Sequence, residues 1–182
     1  MEMTSRVFLV GFMGSGKSTL GKLIAAELGF SFLDLDEAIE EKYHNTISEI
    51  FSLHGEQGFR EFEKDTLHSL EADTQVVIAT GGGTPCFYDN MLWMLDHGLV
   101  IFLNCSVEVL MQRLQSEKEH RPLINHLDHT ALQTFIEHKL SERLPFYSKA
   151  HLEVFDFEDK VQTARWIGHY VQSLGQGREI SQ

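Results

Sequence analysis

The sequence predicts an α/β fold in which helices cover both faces of a parallel β-sheet. Apolar runs of strand length alternate along the 182 residues with segments of helical periodicity. The runs Val7–Val10 and Val76–Ala79 are continuously apolar, as is typical of strands that are buried on both faces of a sheet. Ligands gather at the carboxyl ends of the strands in such sheets, so functional residues are expected there.

The composition is that of a soluble globular protein and narrows the range of partners. Apolar residues make up 42% of the chain and charged residues 23%. A net charge of −12 argues against a nucleic-acid partner, because the phosphate backbone would be repelled. The sequence has no apolar run long enough to span a membrane. We therefore expect a monomeric, cytoplasmic protein without a membrane partner, with one domain over residues 1–174 and a frayed tail over 175–182.

The first strand runs directly into a glycine-rich loop. Gly11–Ser18 has the spacing G-x-x-x-x-G-K-S, and a helical pattern follows it. Gly11, Gly14 and Gly16 are free to adopt backbone angles that side chains disfavour, so successive N–H groups can point at one anion. The amino end of the following helix adds positive potential at the same place. A glycine-rich turn needs no ligand, but the strand, loop and helix together favour a phosphate-binding loop.

The loop predicts that the chain binds a nucleoside triphosphate. Lys17 is expected to bridge the outer phosphates, and the Ser18 hydroxyl to bind Mg²⁺. The residues expected to contact the nucleotide here are Gly14, Ser15, Gly16, Lys17, Ser18 and Thr19.

Two carboxylates follow the second predicted strand. Asp34 and Asp36 come directly after the short apolar run 31–33 and point the same way if the strand geometry persists. The alternative is that they cap the helix Glu37–Tyr43. Their place at a strand end beside the phosphate loop favours a functional role.

The next segment is predicted to be two helices. Thr46 and Glu49 have capping-box spacing, and Gly55 is expected to interrupt the helix that they begin. The second helix carries Arg60 and Glu63, which are neighbours on its surface. From the residues alone, this pair is most simply a solvated ion pair.

Gly81, Gly82 and Gly83 follow the strand Val76–Ala79. Three consecutive glycines destabilise a chain unless the backbone turns sharply or a ligand approaches closely. A flexible turn rarely needs all three, so the run favours contact with a ligand.

The second half continues the alternation of helices and strands and contains a polar interruption. Residues 115–128 have little periodicity and are predicted to be a mobile lid that excludes water from the site. Arg113 precedes this stretch, and taken alone it is most simply exposed. The other predicted elements are the helices Asn90–Asp96, Val107–Leu114, Thr130–Leu144 and Lys160–Leu174, the strand Leu99–Leu103 and the edge strand Leu152–Phe155.

Taken together, these stretches resemble the shikimate kinases along nearly the whole length. The matching motifs are Gly11–Ser18, Asp34-Leu35-Asp36, Gly58-Phe59-Arg60-Glu61-Phe62-Glu63, Thr80-Gly81-Gly82-Gly83, Arg121-Pro122-Leu123 and Glu142-Arg143-Leu144-Pro145-Phe146-Tyr147. The resemblance implies a three-layer P-loop NTPase fold with a five-stranded parallel sheet flanked by helices, a mobile lid and a substrate-binding region over about 34–63. It also implies transfer of the γ-phosphoryl group of ATP to the 3-hydroxyl of shikimate in aromatic amino-acid biosynthesis.

The resemblance also assigns roles to single residues. Lys17, Asp36 and Arg121 are implied to be catalytic, with Asp36 as the base and Arg121 reaching the transferring phosphoryl from the lid. Ser18 and Asp34 are implied to hold Mg²⁺. The shikimate-binding residues that the resemblance implies are Asp36, Arg60, Glu63, Gly81, Gly82, Gly83 and Arg143, and on the nucleotide side Arg113 is implied to pack on adenine.

Other functions of the same fold remain as alternatives. A small-metabolite kinase such as a gluconate kinase shares the phosphate loop but not the combination of Asp36, Arg60, the glycine run and Arg143. A regulatory GTPase would need an Asn-Lys-x-Asp element, which the sequence lacks. A non-catalytic nucleotide-binding module is disfavoured because every residue that the chemistry requires is present.

Overall fold

The computed structural model describes residues 5–70, 74–116, 124–155, 157 and 159–176. Its centre is a five-stranded sheet in the order β2-β3-β1-β4-β5, and every neighbouring pair of strands is parallel. The five-stranded parallel sheet is therefore confirmed. The strands are β1 Arg6–Val10, β2 Ser31–Asp34, β3 Val76–Ala79, β4 Leu99–Asn104 and β5 Leu152–Phe155.

Helices follow the strands along the chain and cover the sheet. They are α1 Lys17–Leu28, α2 Leu35–Tyr43, α3 Ile47–Ser69, α4 Asn90–His97, α5 Val107–Ser116, α6 His129–Tyr147 and α7 Lys160–Gln176, with a 3₁₀ turn at Thr84–Cys86. Within the described ranges, no helix combines the length and the apolar character that crossing a membrane requires.

The alternation of side chains along the strands divides the core into two layers. Val7 and Leu9 of β1 face one side, where they pack with residues of α1, α5, α6 and α7. Phe8 and Val10 face the other side, where α2, α3, α4 and the end of α6 provide the partners. Because both faces of the sheet are covered, the central runs Val7–Val10, Val76–Ala79 and Leu99–Leu103 are apolar without a polar alternate, as the sequence pattern predicted.

The helix boundaries follow from local chemistry. Gly16 and Gly29 flank α1 in the left-handed region, with φ of 94° and 68°, where glycine carries no steric penalty. The capping box predicted at the start of α3 is present: the Thr46 side chain accepts from the Glu49 N–H, and the Glu49 carboxylate accepts from the Thr46 N–H. Gly55 interrupts α3 with φ 67° and ψ −176°, as predicted.

Most boundaries agree with the sequence prediction to within two residues, and two differences concern segments that carry candidate site residues. α2 begins at Leu35, so Asp36 lies in the first turn of a helix and not on an extension of the strand. Asp34 caps that helix, because its side chain accepts from the Asp36 N–H. α6 continues through Pro145 to Tyr147, since a proline near the end of a helix removes only one donor from the ladder.

Half of the predicted lid falls outside the described residues. Residues 117–123 of the segment 115–128 are not described, while 115–116 end α5. Ile124 is fully buried in the core layer of α5 and α6. At the other end, α7 extends to Gln176, two residues beyond the predicted helix, and 177–182 lie outside the described ranges.

Candidate active site

A cavity of about 370 Å³ opens at the carboxyl ends of β1, β2 and β3. This is where a parallel sheet covered on both faces places its ligands. Arg60, Glu63 and Arg143 approach the cavity through the glycine run that forms part of its wall. The cavity is lined by Met13, Gly14, Gly16, Lys17, Ser18, Thr19, Asp34, Asp36, Thr80, Gly81, Gly82, Arg113 and Lys160.

The phosphate loop leads from β1 into the first turn of α1. Gly14 and Gly16 have φ of 77° and 94°, so the loop uses the left-handed backbone that its glycines were predicted to supply. The Lys17 ammonium donates to the carbonyl oxygens of Gly11 and Phe12 at 2.8 and 2.9 Å, which holds it against the loop. The loop thus presents a lysine and a helix amino end to one side of the cavity, a combination that suits phosphate oxygens.

Ser18 and Asp34 meet at the cavity wall. The Ser18 hydroxyl donates to Asp34 Oδ2 at 2.7 Å, and Asp34 Oδ1 accepts from the Asp36 N–H at 3.1 Å. The capping bond therefore fixes one carboxylate oxygen, while the other faces the serine. A hydroxyl and a carboxylate are hard oxygen donors of the kind that Mg²⁺ prefers, so the donor set fits that ion.

Asp36 is mostly buried among other carboxylates. Burial raises its pKa from the ordinary value of 3.8 to about 6, and the charges of Asp34 and Glu63 act in the same direction. The cations of Lys17 and Arg60 oppose this shift. The result is a carboxylate whose pKa lies close to neutral pH, which is the range in which a general base works best.

Arg60 and Glu63 of α3 form a bonded pair beside Asp36. Arg60 Nη1 donates to Glu63 Oε2 at 2.9 Å, and Arg60 Nη2 to the exposed Glu56 at 3.3 Å. The guanidinium lies 4.0 Å from the centre of the Phe87 ring. Glu63 is fully buried, so the interpretation of a solvated ion pair is wrong. A buried carboxylate is retained where its partners satisfy it, and here one partner is a cation aimed at the glycine run.

The glycine run allows these side chains to come close to the backbone. A Cβ atom at Gly81 would lie 3.0 Å from Glu63 Oε1 and 3.1 Å from Asp36 Oδ1. A Cβ atom at Gly83 would lie 2.7 to 2.9 Å from the Arg60 guanidinium, closer than real contacts allow. The glycines therefore provide the space for an acidic and a basic group at one wall, and a flexible turn does not explain them.

Arg143 of α6 reaches the same wall from the opposite side. A Cβ atom at Gly82 would lie 3.2 Å from Arg143 Nη1. The Arg143 guanidinium is 5.4 Å from the centre of the Phe12 ring. Nη1 is buried and has no hydrogen-bond partner among the described residues. A buried donor without a partner is costly, so this position favours an incoming acceptor such as a carboxylate.

Arg113 of α5 lies on the nucleotide side of the cavity. Its Nη1 donates to the carbonyl oxygens of Gly14 and Ser15 at 3.3 and 3.0 Å, and its guanidinium is 5.8 Å from the Phe157 ring. Arg113 thus stabilises the phosphate loop through hydrogen bonds to its backbone and is not simply exposed. Arg121, which the sequence assigned to the lid, lies outside the described residues.

Sequence reasoning did not single out four residues that support the site. The Thr84 hydroxyl donates to Glu63, Phe87 stacks on Arg60, the Tyr147 hydroxyl donates to the Gly82 carbonyl oxygen, and Lys160 lines the cavity. Thr84 follows the glycine run directly, and this adjacency was the available signal. The contacts of Phe87 and Lys160 depend on packing between distant segments, which no local pattern reports.

Comparison with known proteins identifies the family of the chain. The sequence model of the shikimate kinase family matches residues 13–174. A shikimate kinase of Phocaeicola vulgatus is 48% identical over 160 residues, which are 87% of this chain and 91% of that protein. The solved shikimate kinase of Bacteroides thetaiotaomicron has a TM-score of 0.83 at 42% identity and covers 96% of this chain and 98% of its own. The structure of the Acinetobacter baumannii shikimate kinase in complex with shikimate has a TM-score of 0.82 at 32% identity, covering 99% of this chain and 97% of its own.

Proposed function

The chain belongs to the shikimate kinase family, and we propose that it transfers the γ-phosphoryl group of ATP to the 3-hydroxyl of shikimate. The products are shikimate 3-phosphate and ADP, in aromatic amino-acid biosynthesis. The observation that carries the proposal is that Asp36, Arg60, Glu63 and Arg143 converge on the glycine run at one end of the cavity whose other end is the phosphate loop.

The two arginines suit the carboxylate of the acceptor. Arg60 and Arg143 approach Gly83 and Gly82 respectively, so they flank one stretch of backbone from two elements. A guanidinium binds a carboxylate through two parallel hydrogen bonds, which fix the orientation of the bound ring better than an ammonium does. We propose that this clamp turns the 3-hydroxyl of shikimate towards Asp36.

Asp36 is proposed to accept the proton of that hydroxyl. Its pKa of about 6 leaves it ionised at neutral pH yet basic enough to take a proton as the hydroxyl attacks. Phosphoryl transfer has a loose transition state, so alignment of the hydroxyl contributes as much as proton removal. Glu63 keeps Arg60 in place through their 2.9 Å ion pair.

The nucleotide is proposed to bind along the phosphate loop. Lys17 and the N–H groups of the loop would neutralise its outer phosphates, and Ser18 and Asp34 would hold Mg²⁺. When bound, this ion supplies positive charge that offsets the charge of the phosphate oxygens. From the family resemblance, Arg113 is assigned to the adenine side and Arg121 to the transferring phosphoryl, with residues 115–128 as a lid that excludes water.

The assay that tests the function couples ADP release to a change in absorbance. The purified protein is given ATP and Mg²⁺ with shikimate, with gluconate or without an acceptor. We expect turnover that depends on shikimate and a product that carries one phosphate. Equal ADP release without an acceptor, or a preference for gluconate, would contradict the acceptor assignment while leaving the phosphate loop intact.

The remaining parts of the proposal concern the state of the protein in the cell. We propose, as expected from the sequence, that it acts as a monomer in the cytoplasm. Light scattering of the purified protein checks the monomer, and a dimer would contradict it.

A further inference from the structure

We propose that Thr84 is a positioning residue for the acceptor: its hydroxyl holds Glu63 so that Glu63 keeps Arg60 aimed at the acceptor carboxylate. The inference rests on the proposed function, because it assumes that Arg60 binds the acceptor. It concerns a residue of the 3₁₀ turn after the glycine run, outside the lining of the cavity.

The geometry joins three side chains in a row. The Thr84 hydroxyl donates to Glu63 Oε1 at 2.5 Å, and Glu63 Oε2 accepts from Arg60 Nη1 at 2.9 Å. Thr84 and Glu63 are both fully buried. Each carboxylate oxygen of Glu63 therefore has one donor, and the two donors pull on opposite ends of the carboxylate. This fixes its rotation about the terminal bond, which is otherwise broad.

The backbone keeps Thr84 itself in place. The Thr84 N–H donates to the Gly81 carbonyl oxygen at 3.2 Å. The Asn90 side chain, fully buried at the start of α4, donates to the Thr84 carbonyl oxygen at 3.0 Å. Both the N–H and the carbonyl oxygen of Thr84 are therefore hydrogen-bonded. These bonds anchor Thr84 to the glycine run and to α4.

The row ends at the acceptor end of the site. A Cβ atom at Gly81 would be 3.0 Å from both Glu63 Oε1 and Thr84 Oγ1, so this hydrogen bond lies directly against the wall of the cavity. A Cβ atom at Gly83 would be 2.7 to 2.9 Å from the Arg60 guanidinium, so the other end of the row also lies against the glycine run. A change in the rotation of Glu63 is therefore transmitted to Arg60 within a single side-chain contact, whereas the phosphate loop is not part of the row.

Removal of the hydroxyl leaves Glu63 Oε1 buried without its donor. The carboxylate then gains most by turning both oxygens towards Arg60, because a bidentate pair is its strongest remaining interaction. That rearrangement engages guanidinium N–H groups that the acceptor carboxylate needs. The expected consequence is weaker binding of the acceptor with unchanged binding of ATP.

The test compares steady-state kinetics of four variants with the wild-type protein. Thr84→Val keeps the shape and removes the hydroxyl, Thr84→Ser keeps the hydroxyl, and Thr84→Ala differs from the serine variant by the hydroxyl alone. Thr66→Val is the matched control. Thr66 is a buried threonine that lies one turn after Glu63 in α3, and it is not one of the three side chains in the row. Thermal unfolding of every variant is recorded.

We expect Thr84→Val to raise the KM for shikimate by about tenfold, the scale of a hydrogen bond to a charged group, with the KM for ATP unchanged. Thr84→Ser is expected to stay within about twofold of the wild type, and so is Thr66→Val. If Thr84→Val does not fold, a KM for shikimate that is about tenfold higher in Thr84→Ala than in Thr84→Ser supports the same role.

Two results would overturn the inference. One is an unchanged KM for shikimate in Thr84→Val and equal values in the serine and alanine variants. The other is a parallel rise in the KM for ATP, which would mean a general loss of structure. Failure of the proposed function is distinguishable from both, because it is seen as a lack of shikimate-dependent turnover in the wild-type protein.

Discussion

The two ends of the cavity are built in different ways. The nucleotide end is formed mainly by one continuous piece of chain, Gly11–Thr19, which supplies backbone N–H groups, one lysine and the hydroxyls of Ser18 and Thr19. The acceptor end is assembled from side chains of α2, α3 and α6 around the glycine run. Because the first end depends on local backbone geometry and the second on packing between distant elements, the two should respond separately to substitution.

The two ends also differ in the surroundings of their charged groups. At the nucleotide end, Lys17 is held by carbonyl oxygens of its own loop. At the acceptor end, burial and the neighbouring carboxylates Asp34 and Glu63 raise the pKa of Asp36. The cations of Lys17 and Arg60 only partly oppose this shift. The acceptor end therefore contains a carboxylate whose ionised form is disfavoured, whereas the ammonium group at the nucleotide end is hydrogen-bonded within its own loop.

Asp36→Asn is the substitution with the largest expected effect. Asparagine keeps the size of the side chain but cannot accept the proton of the hydroxyl, so we expect turnover to fall by roughly 10²-fold or more. ATP binding should be unchanged, which equilibrium titration with a fluorescent ATP analogue measures. Turnover within about twofold of the wild type would remove Asp36 from the mechanism.

The two ends also differ in how far the sequence predicted them. The phosphate loop could be placed from its spacing, because strand, loop and helix are consecutive and the glycines are required by local backbone angles. The burial of Glu63 could not be predicted from the sequence chemistry, since Arg60 and Glu63 have the spacing of any surface pair on a helix. Thr84, which donates to the buried Glu63, is 21 residues away in sequence and follows β3, so no local pattern on α3 indicates the contact.

The same limit applies to the strand order and to the supporting residues. Five apolar runs predict strands, and the family resemblance implies the same number. Periodicity alone does not give the order of these strands in the sheet. Asp34 and Asp36 would point the same way if the strand geometry persisted, but the helix begins between them. An aspartate fits both the end of a strand and the cap of a helix, so the sequence does not decide between them. The structure shows that Asp34 provides the cap.

Arg143→Ala tests whether the acceptor end acts separately. Loss of one half of the carboxylate clamp is expected to raise the KM for shikimate by about 30-fold, with the KM for ATP unchanged. Arg165→Ala is the matched control, because Arg165 is an exposed arginine on α7. Steady-state kinetics with each substrate varied in turn measures both constants. An unaltered KM for shikimate in Arg143→Ala would count against the clamp.

The pH dependence of turnover tests the charge crowding at the acceptor end. Asp36 must be ionised to act as a base, and its pKa is raised to about 6. Turnover is therefore expected to be constant above pH 7 and to fall as the pH decreases through 6, to about a tenth at pH 5. Measurements at saturating concentrations of both substrates give this profile. A fall that begins only near pH 4 would mean that Asp36 has an ordinary pKa and that the crowding is relieved in the complex.

Arg113→Ala has the smallest expected effect of these variants. It tests, from the nucleotide end, whether the two ends of the cavity respond separately to substitution. Arg113 donates to the carbonyl oxygens of Gly14 and Ser15, so its loss removes a brace of the phosphate loop without touching the glycine run. Loss of these hydrogen bonds from a guanidinium to neutral carbonyl oxygens is expected to raise the KM for ATP by about fivefold and to leave the KM for shikimate unchanged. The same kinetic experiment, with Arg165→Ala again as the control, measures both. A rise in the KM for shikimate would show that the two ends are coupled through the loop, because Met13 and Gly82 meet at the boundary between them.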